Sequence, residues 1–186
     1  KKRFEISVTV HNVMVPYKSK VIADLNNYAD SLSQYYPDIL QNKNKYNDGS
    51  FFDLEKQYVV MAREHRAVFH NLGYKHSGTI IDSYAPELEG EGKDIRVKSW
   101  DKYDRHFGPY LDGSAFKDSK RGEFPIEFLY LPFHMGWPAS YEKWGQKGYK
   151  TEYRRIIAEF IKHFEEKGWD KTFLEILLNH KKEYRF

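Results

Sequence analysis

The chain has 186 residues, of which 40% are hydrophobic, 17% aromatic and 31% charged, with a formal net charge of +3. This composition is typical of one globular domain with a sizeable core and excludes a disordered chain. The mixture of 30 basic and 27 acidic residues argues against a nucleic-acid-binding protein. The absence of cysteine excludes disulfides and thiolate metal sites, and no apolar run reaches the roughly 18 residues of a membrane span.

The first predicted element is a β-strand at residues 4–10. FEISVTV alternates apolar and polar side chains with a period of two, and Pro16 closes the segment. Because KKRFEISVTV leads into a strand, no signal peptide is predicted. The missing initiator Met suggests a mature or excised piece of a longer chain. A short helix is predicted at 27–36, ending before Pro37.

A long helical pattern covers residues 51–74. Leu54, Tyr58 and Met61 fall on one stripe, and Gly73 is a natural stop. The histidines in and after this segment lack the spacing of a zinc-binding HExxH motif, so no metal is expected. Residues 77–101 show few periodic signals and include the turn-rich ELEGEGKD. In a phosphate-binding loop a helix follows the glycines, but no helical pattern follows this segment. No cofactor is therefore expected.

The stretch WDKYDRHFGPYLDGSAF, residues 100–116, is predicted to be a shaped loop that presents its side chains to a ligand. Carboxylates suit sugars because each oxygen accepts a hydrogen bond from a hydroxyl, and aromatic planes suit the apolar side of a pyranose. The alternative is a loop that only packs, with its aspartates capping turns and Asp101 paired to Arg105. The candidate catalytic residues here are Asp101, Asp104 and Asp112.

A βαβ unit is predicted in the last third of the chain. The apolar run 126–133 is typical of a buried parallel strand. Aromatic and aliphatic residues recur at helical spacing over 149–164, with Gly168 ending that helix. TFLEILLN at 172–179 then predicts a second buried strand, joined by a right-handed crossover.

Polar and aromatic residues follow these strands at the edge where α/β proteins bind ligands. The candidate substrate-binding residues are Trp100, His134, Trp137, Trp144, Asn179 and His180. In this hypothesis the tryptophans stack on sugar rings, whereas the histidines and Asn179 bind hydroxyls. The alternatives are a satisfied core histidine, a tryptophan lid over the strand ends, and an ordinary polar strand end.

Three segments resemble bacterial proteins of the glycoside hydrolase family 123-like group: WDKYDRHFGPYLDGSAF, PIEFLYLPFHMGWP and FEEKGWDKTFLEILLNHKKEYRF. The resemblance spans about residues 6–186, and EHRAVFHNLGY resembles a helix-to-strand segment of the same group. It implies a (β/α)8-barrel, a secreted or periplasmic location, and a retaining hydrolase acting on amino sugars. In that mechanism the substrate acetamido group is the nucleophile and a Glu is the general acid. The family's Asp-Glu pair is replaced here by Asn179-His180 at the strand end, so such a pair would have to lie beyond Phe186.

Length points to a partial barrel, since a (β/α)8-barrel needs about 250 residues. We therefore expect residues 1–186 to form one (β/α)-barrel-type domain, completed by a second chain or by the remainder of a longer one. The expected function is hydrolysis of a glycosidic bond in a polysaccharide or amino-sugar glycan. The alternatives are a non-catalytic carbohydrate-binding module and a purely structural one.

Overall fold

The computed structural model describes residues 3–28, 30–40, 50–134, 136–139 and 145–176. Within these ranges the chain is mixed α/β, with three two-stranded sheets. The strands are β1 (Ala23–Tyr28), β2 (Ala67–Leu72), β3 (Glu87–Glu89), β4 (Arg96–Ser99), β5 (Phe128–Tyr130) and β6 (Phe173–Glu175). The α-helices are α1 (Ser31–Tyr35), α2 (Pro37–Leu40), α3 (Ser50–Glu64), α4 (Asp101–Leu111) and α5 (Tyr149–Lys167).

Two of the three sheets are parallel pairs, and each pair is connected through a helix. β1 pairs with β2 from Ala23↔Ala67 to Tyr28↔Leu72, and α3 lies between them in the chain. β5 pairs with β6 from Phe128↔Phe173 to Tyr130↔Glu175 across α5. The predicted βαβ unit is therefore confirmed. The third sheet is the antiparallel hairpin of β3 and β4.

The two parallel pairs meet along β2 and β5. His70 Nε2 lies 2.8 Å from the Phe128 carbonyl oxygen. Just past the ends of β2 and β5, the rings of Tyr74 and His134 stack at 4.4 Å. At the other end, the Ser19 amide before β1 donates to the carboxylate of Glu127 before β5. The carboxyl ends of β1, β2 and β5 therefore lie on one side, which we call the carboxyl rim.

The parallel strands separate two kinds of side chain, because successive residues point to opposite faces. Phe69 packs on Tyr58 of α3 at 5.4 Å between ring centroids, which marks the face covered by helices. The opposite side, which carries Asp24, His70 and Tyr130, we call the inner face. Among the described residues the two parallel pairs stay separate sheets, and no closed barrel forms. The barrel thus stays a prediction.

The segment 100–116 is mainly a helix, so the prediction of an irregular loop was wrong. Tyr103, Phe107 and Tyr110 recur at helical spacing and are buried. Tyr103 packs on α5, where the ring centroids of Phe160 and Phe164 lie 5.5 and 6.4 Å from its own. Pro109 is tolerated near the end of α4. Gly113, at φ 91°, then turns the chain.

Helix α5 ends as the sequence predicts. Gly168 has φ 69°, in the left-handed region that glycine adopts without strain. The Trp169 amide then donates to the Phe164 carbonyl at 2.9 Å. Its indole folds back on the Phe164 ring at 5.3 Å, edge to face.

Three other predictions are corrected. Residues 4–10 form no strand and lie exposed. The helix predicted at 27–36 is the end of β1 followed by the short α1. The pattern over 51–74 is α3, then a turn with Arg66 at φ 63°, then β2. No helix in the described ranges combines the length and apolar character that crossing a bilayer requires.

Candidate functional site

A hydrogen-bonded cluster lies on the inner face where β1, β2 and β5 come together. His70 Nδ1 lies 2.7 Å from Asp24 Oδ1. The Tyr130 hydroxyl donates to Asp24 Oδ2 at 2.8 Å, and the Asn26 amide donates to the same oxygen at 3.0 Å. We call these four residues the Asp24 cluster. Each strand supplies at least one member, so the cluster exists only when the strands are assembled.

His70 connects the cluster to the next strand through both of its ring nitrogens. Its two partners, the Asp24 carboxylate and the Phe128 carbonyl, are both acceptors. The residue is 4% exposed, so both contacts lie away from solvent and fix the orientation of the ring between the strands.

The ionisation of the cluster follows from these contacts. Partial burial acts to raise the pKa of Asp24, but the hydrogen bonds from His70, Asn26 and Tyr130 outweigh it and leave that pKa below its ordinary value. For Tyr130, burial and then the bond to Asp24 raise the pKa far above its ordinary value. At neutral pH Asp24 is therefore a carboxylate and Tyr130 a neutral donor.

A second carboxylate, Glu175, lies on the other side of Tyr130. It is the register partner of Tyr130 in the β5–β6 ladder, and its charge contributes to raising the pKa of that tyrosine. Unlike Asp24, Glu175 is exposed to solvent. The inner face thus holds two carboxylates in different environments, one on each side of a phenol.

Aromatic rings line the carboxyl rim beside this cluster. The ring centroid of Tyr28 lies 5.8 Å from that of Tyr74 and 4.0 Å from that of His76, while the Tyr74 ring stacks on His134. We call these four residues the rim aromatics. Asp30 holds His76 in place, since its Oδ1 is 2.9 Å from His76 Nδ1 and accepts the His76 backbone amide.

His134, a predicted ligand-binding residue, lies at this rim as expected. Its Nε2 donates to the Gly78 carbonyl at 3.0 Å. Its Nδ1 is buried without a hydrogen-bond partner among the described residues. Burial lowers the pKa of His134, with the Gly78 carbonyl opposing part of that shift. A paired bridge between His134 and Trp137 fixes the turn that carries the ring.

The three predicted catalytic aspartates do not converge. Asp101 and Asp112 lie at the two ends of α4, both exposed, and Asp112 accepts the Ser114 amide in a local turn. Eleven helical residues separate them by about 16 Å along the axis. Asp104 is paired with His163 and Lys167 of α5, each at 2.7 Å. These contacts connect helices and leave no shared cleft.

Two of the tryptophans predicted to stack on sugar rings, Trp100 and Trp137, pack against other side chains of the protein. Trp100 lies flat on the His163 imidazole at 3.9 Å, so one face of its indole is covered. Trp137 is buried and packs on Phe133 at 5.2 Å. The remaining predicted site residues, Trp144, Asn179 and His180, lie outside the described residues.

A buried Ser–His–Glu arrangement lies between α3 and α4. Ser83 Oγ is 3.2 Å from His106 Nδ1, and His106 Nε2 is 3.2 Å from Glu55 Oε1. Tyr84 also donates to Glu55. The nearby amides are already used, with Ser83 N donating to Asp82 and Tyr84 N to Ile81. Because neither of these two amides is available as an oxyanion donor, we interpret the network as structural.

Sequence reasoning missed the Asp24 cluster because it predicted no strand at ADLNNY and read AVFHNL as part of a helix. The available signal was the alternation of Asp24, Asn26 and Tyr28, a polar stripe at strand spacing. Comparison of the chain with protein-family models, with curated proteins and with solved structures returned no match. The inner face and the carboxyl rim are therefore the features from which a function is inferred.

Proposed function

We propose that the chain is a carbohydrate-active protein, a glycoside hydrolase, whose site is the inner face and carboxyl rim of a partial (β/α)8-barrel. The observation that carries the proposal is the pair of inner-face carboxylates, Asp24 and Glu175, on either side of Tyr130. Glycosidases need two carboxylates whose environments set different protonation states.

The two carboxylates suit different roles in this proposal. Asp24 stays charged and stabilises positive charge that develops at the sugar. Glu175, the register partner of Tyr130, is assigned the role of proton donor to the leaving oxygen. If the two carboxyl groups act together, a separation of about 5–5.5 Å favours retention and about 6.5–9.5 Å inversion.

The rim aromatics support a saccharide over a more highly charged ligand. Tyr28 and His76, whose side chains are not buried, supply ring planes and polar tips at the edge of the inner face, which suits a molecule with apolar C–H faces and many hydroxyls. Tyr74 and His134 are buried behind the accessible surface and stack on each other. Asp30, a carboxylate beside the rim aromatics, is already bonded to His76. An oligosaccharide lying across the rim would place one of its rings over the Asp24 cluster.

The test is release of reducing sugar from a panel of polysaccharides and amino-sugar glycans. We expect the wild-type chain to hydrolyse at least one member, and Asp24→Asn and Glu175→Gln each to reduce the rate at least about 100-fold. Asp101→Asn, on α4, is the matched carboxylate control and should keep the wild-type rate. Equal rates for all three variants would contradict the assignment of the site.

A non-catalytic carbohydrate-binding module is the second candidate. The occupied oxygens of Asp24 favour it, since they already accept three hydrogen bonds from the protein. Calorimetric binding of a glycan without turnover, weakened by Tyr28→Ala or His76→Ala, would support this alternative. Absence of both binding and turnover across the panel would contradict both candidates.

A further inference from the structure

Residues 4–10 form an exposed segment with the side-chain pattern of a half-buried strand. Phe4, Ile6, Val8 and Val10 are 84%, 86%, 76% and 89% exposed. Between them stand only polar residues, Glu5, Ser7 and Thr9. In an extended chain the two sets point to opposite sides. One side is therefore an apolar surface of the kind that soluble proteins cover.

The backbone of this segment is also free of hydrogen bonds to the rest of the described chain. Unpaired N–H and C=O groups beside a row of apolar side chains form a template for pairing with another strand. The sequence thus specifies a strand, and the fold supplies no neighbour for it within the described residues. The partner must come from outside those residues.

The segment projects from a fixed base, residues 16–21, which we call the strap. Arg66 donates to the Pro16 carbonyl at 2.8 Å and Arg121 Nε donates to the Tyr17 carbonyl at 3.0 Å. The Ser19 amide bonds to Glu127. All three anchors precede β2 or β5, so the strap lies at the opposite end of the strands from the carboxyl rim.

We propose that two copies of this chain associate by antiparallel pairing of residues 4–10, with Ser7 opposite Ser7 on a two-fold axis. In this register Phe4 faces Val10 of the partner subunit and Ile6 faces Val8 of the partner subunit. All apolar side chains then share one face, and Glu5 stands opposite Thr9 of the partner subunit. The segment is thus complementary to itself, as a symmetric dimer requires.

The charges favour this orientation over the parallel one. In-register parallel pairing would place Glu5 beside Glu5 of the partner subunit, and Arg3 beside its equivalent, and like charges directly opposite destabilise a sheet. Two strands alone are marginal in water. Val13, Met14 and Val15, all more than two-thirds exposed, supply further apolar surface to cover the ribbon.

The first test measures association of the purified chain by analytical ultracentrifugation over a range of protein concentrations. We expect a monomer–dimer equilibrium for the wild type and at least a tenfold weaker one for I6K/V8K, which charges the apolar face. Circular dichroism checks that each variant keeps its fold, since these side chains are exposed. A wild-type chain that stays monomeric at every concentration, or that forms open-ended fibres, would overturn the proposal.

The second test examines the strand register by placing either a positive or a negative charge at position 9. In the proposed pairing T9K places a lysine opposite Glu5 of the partner subunit, whereas T9E places a glutamate there. At low salt we expect T9K to dimerise at least as tightly as wild type and T9E several-fold more weakly, with the difference shrinking in high salt. Equal weakening by both substitutions indicates parallel pairing, and no effect of either indicates another interface; both results contradict the proposal.

Discussion

At the scale of single residues, Asp24 is the group whose protonation matters most to the inner face. Its two oxygens accept hydrogen bonds from three side chains on three strands. Since these bonds hold its pKa below the ordinary 3.8, the carboxylate form stabilises the folded chain. That stabilisation is complete above pH 3.8 and is lost as the pH falls through the lower pKa of the folded state.

We therefore expect Asp24→Asn to reduce the free energy of unfolding by roughly 1–2 kcal/mol at pH 7, because bonds to a charged acceptor weaken. The difference from wild type should narrow below pH 3.8. Urea unfolding at pH 7, 5 and 3 measures it. A difference that does not change with pH would show that the loss comes from packing and not from charge.

His134 has the opposite charge chemistry, because burial lowers its pKa below 6.5. The unfolded chain then binds a proton at this residue before the folded chain does, so stability falls as the pH drops below 6.5. His134→Gln keeps a donor for Gly78 and does not titrate. We expect the variant to lose less stability than wild type between pH 7 and 5 in thermal melts; equal losses would contradict the assignment.

At the scale of elements, α3 and α4 are connected by the buried network of Glu55, His106 and Tyr84. Glu55→Ala would leave the His106 imidazole and the Tyr84 hydroxyl without an acceptor, at a cost of roughly 2–4 kcal/mol. Glu55→Gln retains an acceptor oxygen, so it should cost clearly less. Urea unfolding of the two variants compares them, and equal costs would indicate that filled volume, not hydrogen bonding, is what matters.

At the contact between α4 and α5, one carboxylate makes two interactions, one nearly buried and one exposed, so their contributions to stability can be compared. Asp104 bonds to His163, which is nearly buried against Trp100, and to Lys167, which is half exposed. We expect Lys167→Ala to cost less than about 1 kcal/mol. His163→Ala should cost more because it also removes ring stacking. Chemical unfolding measures both, and the reverse order would contradict this ranking.

Elements whose buried face is apolar could be predicted from sequence. The recurring apolar residues of α5 and the apolar run that contains β5 predicted the βαβ unit correctly. β1 could not be predicted in the same way, because its inner face carries Asp24 and Asn26 where the pattern expects apolar residues. Helix α4 was not predicted because Gly108 and Pro109 are typical of a loop. The helical spacing of Tyr103, Phe107 and Tyr110, which form its buried side, would have indicated the helix.

The candidate site was missed for the same reason. Sequence reasoning looked for polar residues after strands and found His134, which does lie at the rim. The Asp24 cluster lies within strands, and its members His70 and Tyr130 are 46 and 106 residues from Asp24 in the chain. Only the parallel pairing of β1 with β2 and the approach of β5 bring them together, and no local pattern records that.

At the scale of the whole molecule, the strap ties the beginning of the chain to its middle. Arg121 is buried, donates to carbonyls of Tyr17 and Arg63, and pairs with Glu127. We expect Arg121→Ala to release residues 3–22, so that limited proteolysis cuts there faster while the rest of the chain stays folded. Arg154→Ala, on the exposed side of α5, is the matched control. Unchanged cleavage in Arg121→Ala would show that other contacts hold the strap.

The strap and the rim aromatics occupy opposite poles of the same short strands. A bulky group attached to the strap would therefore sit away from whatever the rim holds. Immobilising the chain through the strap should leave glycan access unobstructed, which makes surface-based binding measurements feasible in that orientation. Attachment of the same group near Tyr28 or His76 would be expected to block them.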